Sequence, residues 1–166
     1  MDTQAEIAAR LIQKCVQKGI TLSTAESCTG GLIAKLLTDI AGSSAVFCGA
    51  CVTYTNEVKI ALLGVDPAII EEHTAVSHAC AKAMADGARE KLGTTLSVST
   101  TGYAGPGGGT EADPVGTVYI GVSTPHGTFS ERFTAPCLDR MGVRKAAALR
   151  ALKLLEERIE SLTESN

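Results

Sequence analysis

The stretch Ser23-Thr24-Ala25-Glu26-Ser27-Cys28-Thr29-Gly30-Gly31-Leu32-Ile33-Ala34 decides the fold of this chain. Upstream, Gly19-Ile20-Thr21-Leu22-Ser23-Thr24-Ala25 reads as a short buried strand; downstream, Leu32, Ile33, Leu36, Leu37 and Ile40 recur at helical spacing. A strand that turns at once into a helix opens an α/β unit. Ser27, at the junction, faces the positive end of that helix, whose first-turn N–H groups lack intrahelical partners and suit an oxyanion or a phosphate. The glycines behind it permit close backbone approach. Serine is equally a preferred helix N-cap, so the segment taken alone also fits a plain capped turn.

The pattern extends in both directions. Ile7, Leu11, Ile12, Cys15 and Val16 form an amphipathic helix that ends near Gly19. Residues 46–55 read as extended, and a short helix capped by Thr55 or Asn56 stops at Gly64. Another short helix follows Pro67, and a long one capped by Ser77 runs to Leu92. Residues 94–101 form a buried strand and residues 115–123 another. His126-Gly127 marks a hairpin turn into a strand ending near Phe133, and Asp139 to about Leu162 forms a closing helix, after which the polar tail frays. The expected fold is a three-layer α/β/α sandwich around a mixed, mostly parallel sheet of about five strands.

At 166 residues the chain fits one domain, residues 1–166, without repeat or linker, and can bury about 70% of its unfolded surface. A net charge of −3 gives no basic footprint for nucleic acid. The acidic, amphipathic N-terminus is not a secretion signal, and no apolar run approaches the roughly 20 residues of a membrane span. Six scattered cysteines do not resemble a secreted disulfide framework, so a cytoplasmic chain with reduced thiols is expected. Cys48 and Cys51 stand at an odd spacing within an extended segment, which points their thiols to opposite faces and argues against redox or zinc chemistry.

Three further segments carry chemistry. The run Thr100-Thr101-Gly102-Tyr103-Ala104-Gly105-Pro106-Gly107-Gly108-Gly109-Thr110 places dense glycine after a strand, either as amides around a ligand or as a flexible loop. It lacks the Gly-Lys-Ser/Thr of a Walker loop, and the strand after Pro114 rules out a dinucleotide fingerprint. Lys59 lies in the first turns of its short helix, where the macrodipole lowers its pKa; it is either a base for a serine or a solvated charge. Arg140 and Arg144 share a face at the start of the last helix, where an anion or a nearby carboxylate would neutralise them. No histidine arrangement supports a Ser-His-Asp triad.

Taken together, Thr24-Ala25-Glu26-Ser27-Cys28-Thr29-Gly30-Gly31, Val52-Thr53-Tyr54-Thr55-Asn56-Glu57-Val58-Lys59, Leu63-Gly64-Val65, Thr101-Gly102-Tyr103-Ala104-Gly105-Pro106-Gly107-Gly108 and Pro114-Val115-Gly116-Thr117-Val118 resemble the CinA C-terminal-domain family over nearly the whole chain. Its characterised members include nicotinamide mononucleotide amidohydrolases of the PncC type. The resemblance implies Ser27 as nucleophile and Lys59 as its base, with Tyr54 nearby. It further implies that Thr29, Gly30, Gly31, Thr101, Gly102, Ala104, Gly105, Arg140 and Arg144 surround a phosphorylated nucleotide. It implies no metal or cofactor, and a homodimer or larger assembly. Tyr103 replaces a smaller aliphatic residue, Asp113 a common lysine and Leu138 a common glycine. The chain reads as a stand-alone form without the family's additional N-terminal domain. Two rival expectations are a non-catalytic nucleotide-binding regulatory module and a Cys28 nucleophile.

Overall fold

The computed structural model describes residues 2–164. In chain order it contains α1 (Gln4–Lys18), β1 (Leu22–Glu26), α2 (Leu32–Thr38), β2 (Phe47–Val52), α3 (Asn56–Leu63), α4 (Pro67–His73), α5 (His78–Leu92), β3 (Leu96–Gly102), β4 (Thr117–Thr124), β5 (Gly127–Thr134) and α6 (Arg140–Glu164). The strands form one sheet in the order β2-β1-β3-β4-β5. β1 pairs parallel with both β2 and β3, while β4 runs antiparallel between β3 and β5. Four of the five strands therefore point the same way. Ser165 and Asn166, the end of the tail expected to fray, lie outside the described residues.

Helices cover both faces of the sheet, as the alternating order requires. On one side α1, α2 and α6 bury Ile7, Leu11, Leu152, Leu155 and Ile159 against Leu22, Val98 and Ile120. On the other, α3, α4 and α5 enclose a smaller core of Ala25, Leu63, Val65, Cys80 and Met84. Glycines in the left-handed conformation stop α1, α3 and α5 at Gly19, Gly64 and Gly93. No helix among the described residues is long and apolar enough to cross a membrane. All six cysteines are free.

The turn after β1 differs from the expected direct passage into a helix. Residues 27–31 form an intervening turn, with Gly30 and Gly31 at φ of 59° and 94°, and α2 begins only at Leu32. The cause is Glu26, fully buried at the end of β1. Its carboxylate accepts hydrogen bonds from the amides of Gly31 (3.0 Å), Ile33 (3.1 Å) and Ala34 (2.8 Å), and from the hydroxyls of Thr24 (3.1 Å) and Thr29 (2.7 Å). Otherwise unpartnered amides at the start of α2 are thus satisfied from the preceding strand, a capping that requires the chain to loop outward and return.

On the opposite face α5 lies so close to α3 that a Cβ at Gly87 would stand 2.1 Å from the Leu63 carbonyl oxygen. That contact fixes the end of the helix that carries Lys59.

Two outcomes follow from these contacts. Gly87→Ala gains up to about 1 kcal/mol of helix propensity, yet it should still destabilise the protein by about 1–3 kcal/mol through overpacking against backbone; an unchanged denaturation midpoint would refute the contact. Glu26→Gln sets an amide NH₂ against N–H donors and should cost about 2–3 kcal/mol. Calorimetry should then register a fall in Tm of roughly 4–12 °C.

Candidate active site

Parallel strands end in loops at one edge of the sheet, which is where open α/β folds build ligand sites. Here the carboxyl ends of β1, β2 and β3 deliver Ser27, the Thr53–Lys59 segment and the Gly102–Ala104 segment to one place. Side chains alternate along a strand, so Ala25 faces the α5 core, Glu26 turns to α2, and Ser27 turns back toward α3. The Ser27 amide donates to the Thr100 carbonyl of β3 at 3.0 Å, which anchors it to the central strand.

Lys59 is 2% exposed and Ser27 8%. Thr55 caps α3, and Lys59 one turn later projects inward rather than into solvent. Its Nζ lies 3.1 Å from Ser27 Oγ and donates to the carbonyl oxygens of Thr53 (3.0 Å) and Tyr54 (3.4 Å). Among the described residues no carboxylate forms an ion pair with it. Burial holds the Lys59 ammonium below the ordinary lysine pKa of 10.5, with the neighbouring thiols and Glu57 opposing. The Thr53 hydroxyl beside this segment is fully buried and has no partner among the described residues.

The remaining expected residues divide into those on the cleft and those that build it. Gly102, Ala104, Thr101, Tyr54 and Arg140 line the cleft with Ser27, Cys28 and Lys59. The Thr101 hydroxyl nonetheless donates to the Ala75 carbonyl at 2.7 Å, and the Thr29 hydroxyl is engaged with Glu26 and Thr100, both about 2.7 Å away. The Gly30 amide donates to Ser27 O (3.0 Å) and the Gly31 amide to Glu26, so neither is offered to an oxyanion. The amides of Thr29 and Ala104 have no acceptor among the described residues.

Tyr54 is 58% exposed and its phenol oxygen accepts from Arg140 at 2.8 Å. The other Arg140 terminal nitrogen donates to Gly105 O (2.7 Å), and Arg144 donates to Thr29 O (2.9 Å). Arg144, Gly30, Gly31 and Gly105 stand behind the Ser27 cleft rather than on it. Both arginines are therefore held by uncharged carbonyl and phenol oxygens, and neither forms an ion pair with a carboxylate among the described residues.

Sequence patterning missed Glu26, whose only signal was a charged residue closing an otherwise uncharged strand. No group of three or more metal-ligating side chains occurs among the described residues.

Comparison with known proteins agrees with this architecture. The CinA C-terminal domain family matches residues 4–159. A CinA-like protein of Synechocystis is 48% identical over 163 residues, covering 96% of this chain and 38% of that protein. One from Shewanella denitrificans is 50% identical over 151 residues, covering 91% of this chain and 35% of that protein. The chain thus spans a little over a third of the length of these relatives. The crystal structure of the competence/damage inducible protein CihA from Agrobacterium tumefaciens superposes with a TM-score of 0.90 at 40% identity, covering 95% of this chain and 98% of that one. A CinA superfamily protein from Klebsiella pneumoniae gives 0.92 at 31% identity, covering 96% and 99%. With its sequence motifs, sheet order and full-length structural match in agreement, the chain belongs to the CinA C-terminal domain family.

Proposed function

We propose that the chain is a Ser/Lys amidohydrolase that deamidates nicotinamide mononucleotide to nicotinic acid mononucleotide and ammonia, a reaction of pyridine nucleotide salvage. The observation that carries the reading is the Lys59 amine, buried 3.1 Å from Ser27 Oγ and without an ion-pair partner among the described residues. A surface lysine is protonated and solvated; one stripped of water and of carboxylates is favoured as the neutral amine, which a general base must be.

In this mechanism Lys59 Nζ takes the Ser27 proton as Oγ adds to the carboxamide carbon. Negative charge develops on the carboxamide oxygen, and the amide of Ala104, which lines the cleft, is the candidate to receive it. Collapse breaks the C–N bond, and the Lys59 ammonium returns the proton to the departing nitrogen, which leaves as ammonia. Lys59 then deprotonates a water that attacks the Ser27 ester, releasing the acid and restoring the hydroxyl. Cys28 lines the same cleft, but burial pushes its thiol up to about 12, and the lysine reaches Ser27 instead. This favours serine as the nucleophile. Glu26 and the arginines hold the loops that frame these atoms.

Ammonia release from nicotinamide mononucleotide tests the proposal. Ser27→Ala should abolish release, and Lys59→Met should lower kcat by roughly 10²–10⁴-fold. Retained turnover in folded Ser27→Ala would sink the mechanism. For the wild type, kcat/KM should rise with pH through a transition below 10.5, as Lys59 loses its proton.

Stability carries the same signature. Between its lowered folded pKa and 10.5, Lys59 is neutral when folded and protonated when unfolded, so raising pH through that window stabilises the wild type. Lys59→Met should lack that dependence and melt no lower than wild type at neutral pH; a markedly lower Tm would show that the ammonium is structural.

A further inference from the structure

Leu154, Arg158 and Leu162 recur four residues apart on α6 and so share one stripe of the helix. Leu154 and Leu162 join the core, which puts Arg158 where an apolar side chain would suit the packing. The stripe faces the outer part of the sheet. There Phe129 of the edge strand β5 stands opposite Val122 of β4, which packs in the same core as α6. The Arg158 guanidinium lies 3.9 Å from the centre of the Phe129 ring, a stack that fixes the plane of its fork.

This arginine differs from the others. Arg10, Arg89, Arg132, Arg140, Arg144 and Arg150 each donate to a side-chain or backbone oxygen. Arg158 donates to none among the described residues and forms no ion pair there. Its Nε is the one nitrogen among the buried side-chain atoms that lack a hydrogen-bond partner among the described residues. Arg150, two turns earlier on the same stripe, shows the contrast: Glu131 accepts from two of its nitrogens at 2.7 and 2.6 Å, and Glu157 from the third at 2.7 Å. A buried donor without an acceptor is uncommon and calls for a partner.

A cavity of about 330 Å³ opens beside it, lined by Thr124, His126, Phe129, Arg158, Ser161 and Leu162, a volume within the range of small-molecule sites. None of these is a carboxylate. Glu131 lines a smaller cavity on the other side of Arg158, but Arg150 holds both of its oxygens. The Thr124 and Ser161 hydroxyls donate within the chain, to Gly127 O and Arg158 O, each at 2.9 Å. What faces a ligand is therefore one guanidinium, the His126 ring and the apolar surfaces of Phe129 and Leu162. A planar fork matches a carboxylate, and a single permanent charge between apolar walls suits a monoanion with an apolar body. A phosphate monoester, at about −1.5 to −2 near pH 7, would keep part of its charge uncompensated.

We propose that this cavity is a second ligand site, for a small organic carboxylate: the Arg158 guanidinium takes the carboxylate, and Phe129 and Leu162 flank the apolar body. The site lies at the edge of the sheet opposite the Ser27 cleft, since the β4 end that leads into Thr124 pairs with the start of β3, whereas the cleft forms where β3 ends. It stands independently of the amidase reading.

Titration of the full chain with benzoate, followed by NMR, tests this. The Phe129 ring and His126 signals should shift saturably. Arg158→Met keeps an unbranched apolar stem and good helix propensity in the stripe, and it should bind benzoate about tenfold or more weakly. Arg158→Lys, which keeps the charge but not the fork, should fall between the two, and inorganic phosphate should bind wild type more weakly than benzoate does. No saturable shift at Phe129 and His126, shifts confined to the Ser27 cleft, undiminished affinity in folded Arg158→Met, or tighter binding of phosphate than of benzoate would each overturn the site. Should Arg158→Met fail to fold, the wild-type titrations and Arg158→Lys decide it.

Discussion

A carboxylate buried inside the sheet organises everything around it. Glu26 has no cationic partner among the described residues, and a bare buried charge is expensive. Its five donors come from the strand before it, the turn after it and the first turn of α2, so these pieces have one mutually compatible arrangement. The positive end of α2, which from the sequence looked ready for a ligand, has an internal anion instead. Because Glu26 faces α2, the next side chain must face the other layer, and that is what brings Ser27 to Lys59.

The buried lysine is the second unusual charge, and it sits on the opposite side of the sheet from the first. Its surroundings offer carbonyl oxygens and a hydroxyl but, among the described residues, no ion-pair partner. A carboxylate there would have stabilised the ammonium and raised its pKa. The strain falls on the folded state and is borne by tight packing: α3 cannot withdraw to release the lysine because α5 holds its end at Gly87.

Much of the fold was readable from periodicity and punctuation. The glycines at 19, 64 and 93 end helices where the apolar pattern stops, and the strand after residue 94, the hairpin at His126-Gly127 and the last helix follow from local signals. The site was readable only where a motif could be matched as a whole. Nothing local joins Ser27 to a lysine 32 residues away. Glu26 is a charge whose partners are mainly backbone amides, and amides leave no trace in a residue pattern. The arginine partners Gly105 O and Thr29 O were hidden for the same reason, since the acceptors are carbonyls that any residue could supply.

Those carbonyl partners give the first turn of α6 a role that its charge alone does not suggest. Cations at a helix N-terminus are disfavoured by the macrodipole, so Arg140 and Arg144 need compensation. They find it in oxygens belonging to three separate loops: Tyr54 after β2, Gly105 after β3 and Thr29 after β1. Each loop follows one of the three adjacent parallel strands whose ends form the cleft. One helical turn near the end of the chain thereby fixes the spacing of loops that arise more than 70 residues apart, as Thr29 and Gly105 do. The arrangement also bounds the inner cleft. The Tyr54–Arg140–Gly105 bridge stands between the inner cleft, lined by Tyr54 and Arg140, and the apolar cavity beyond, lined by Gly105 and Arg140.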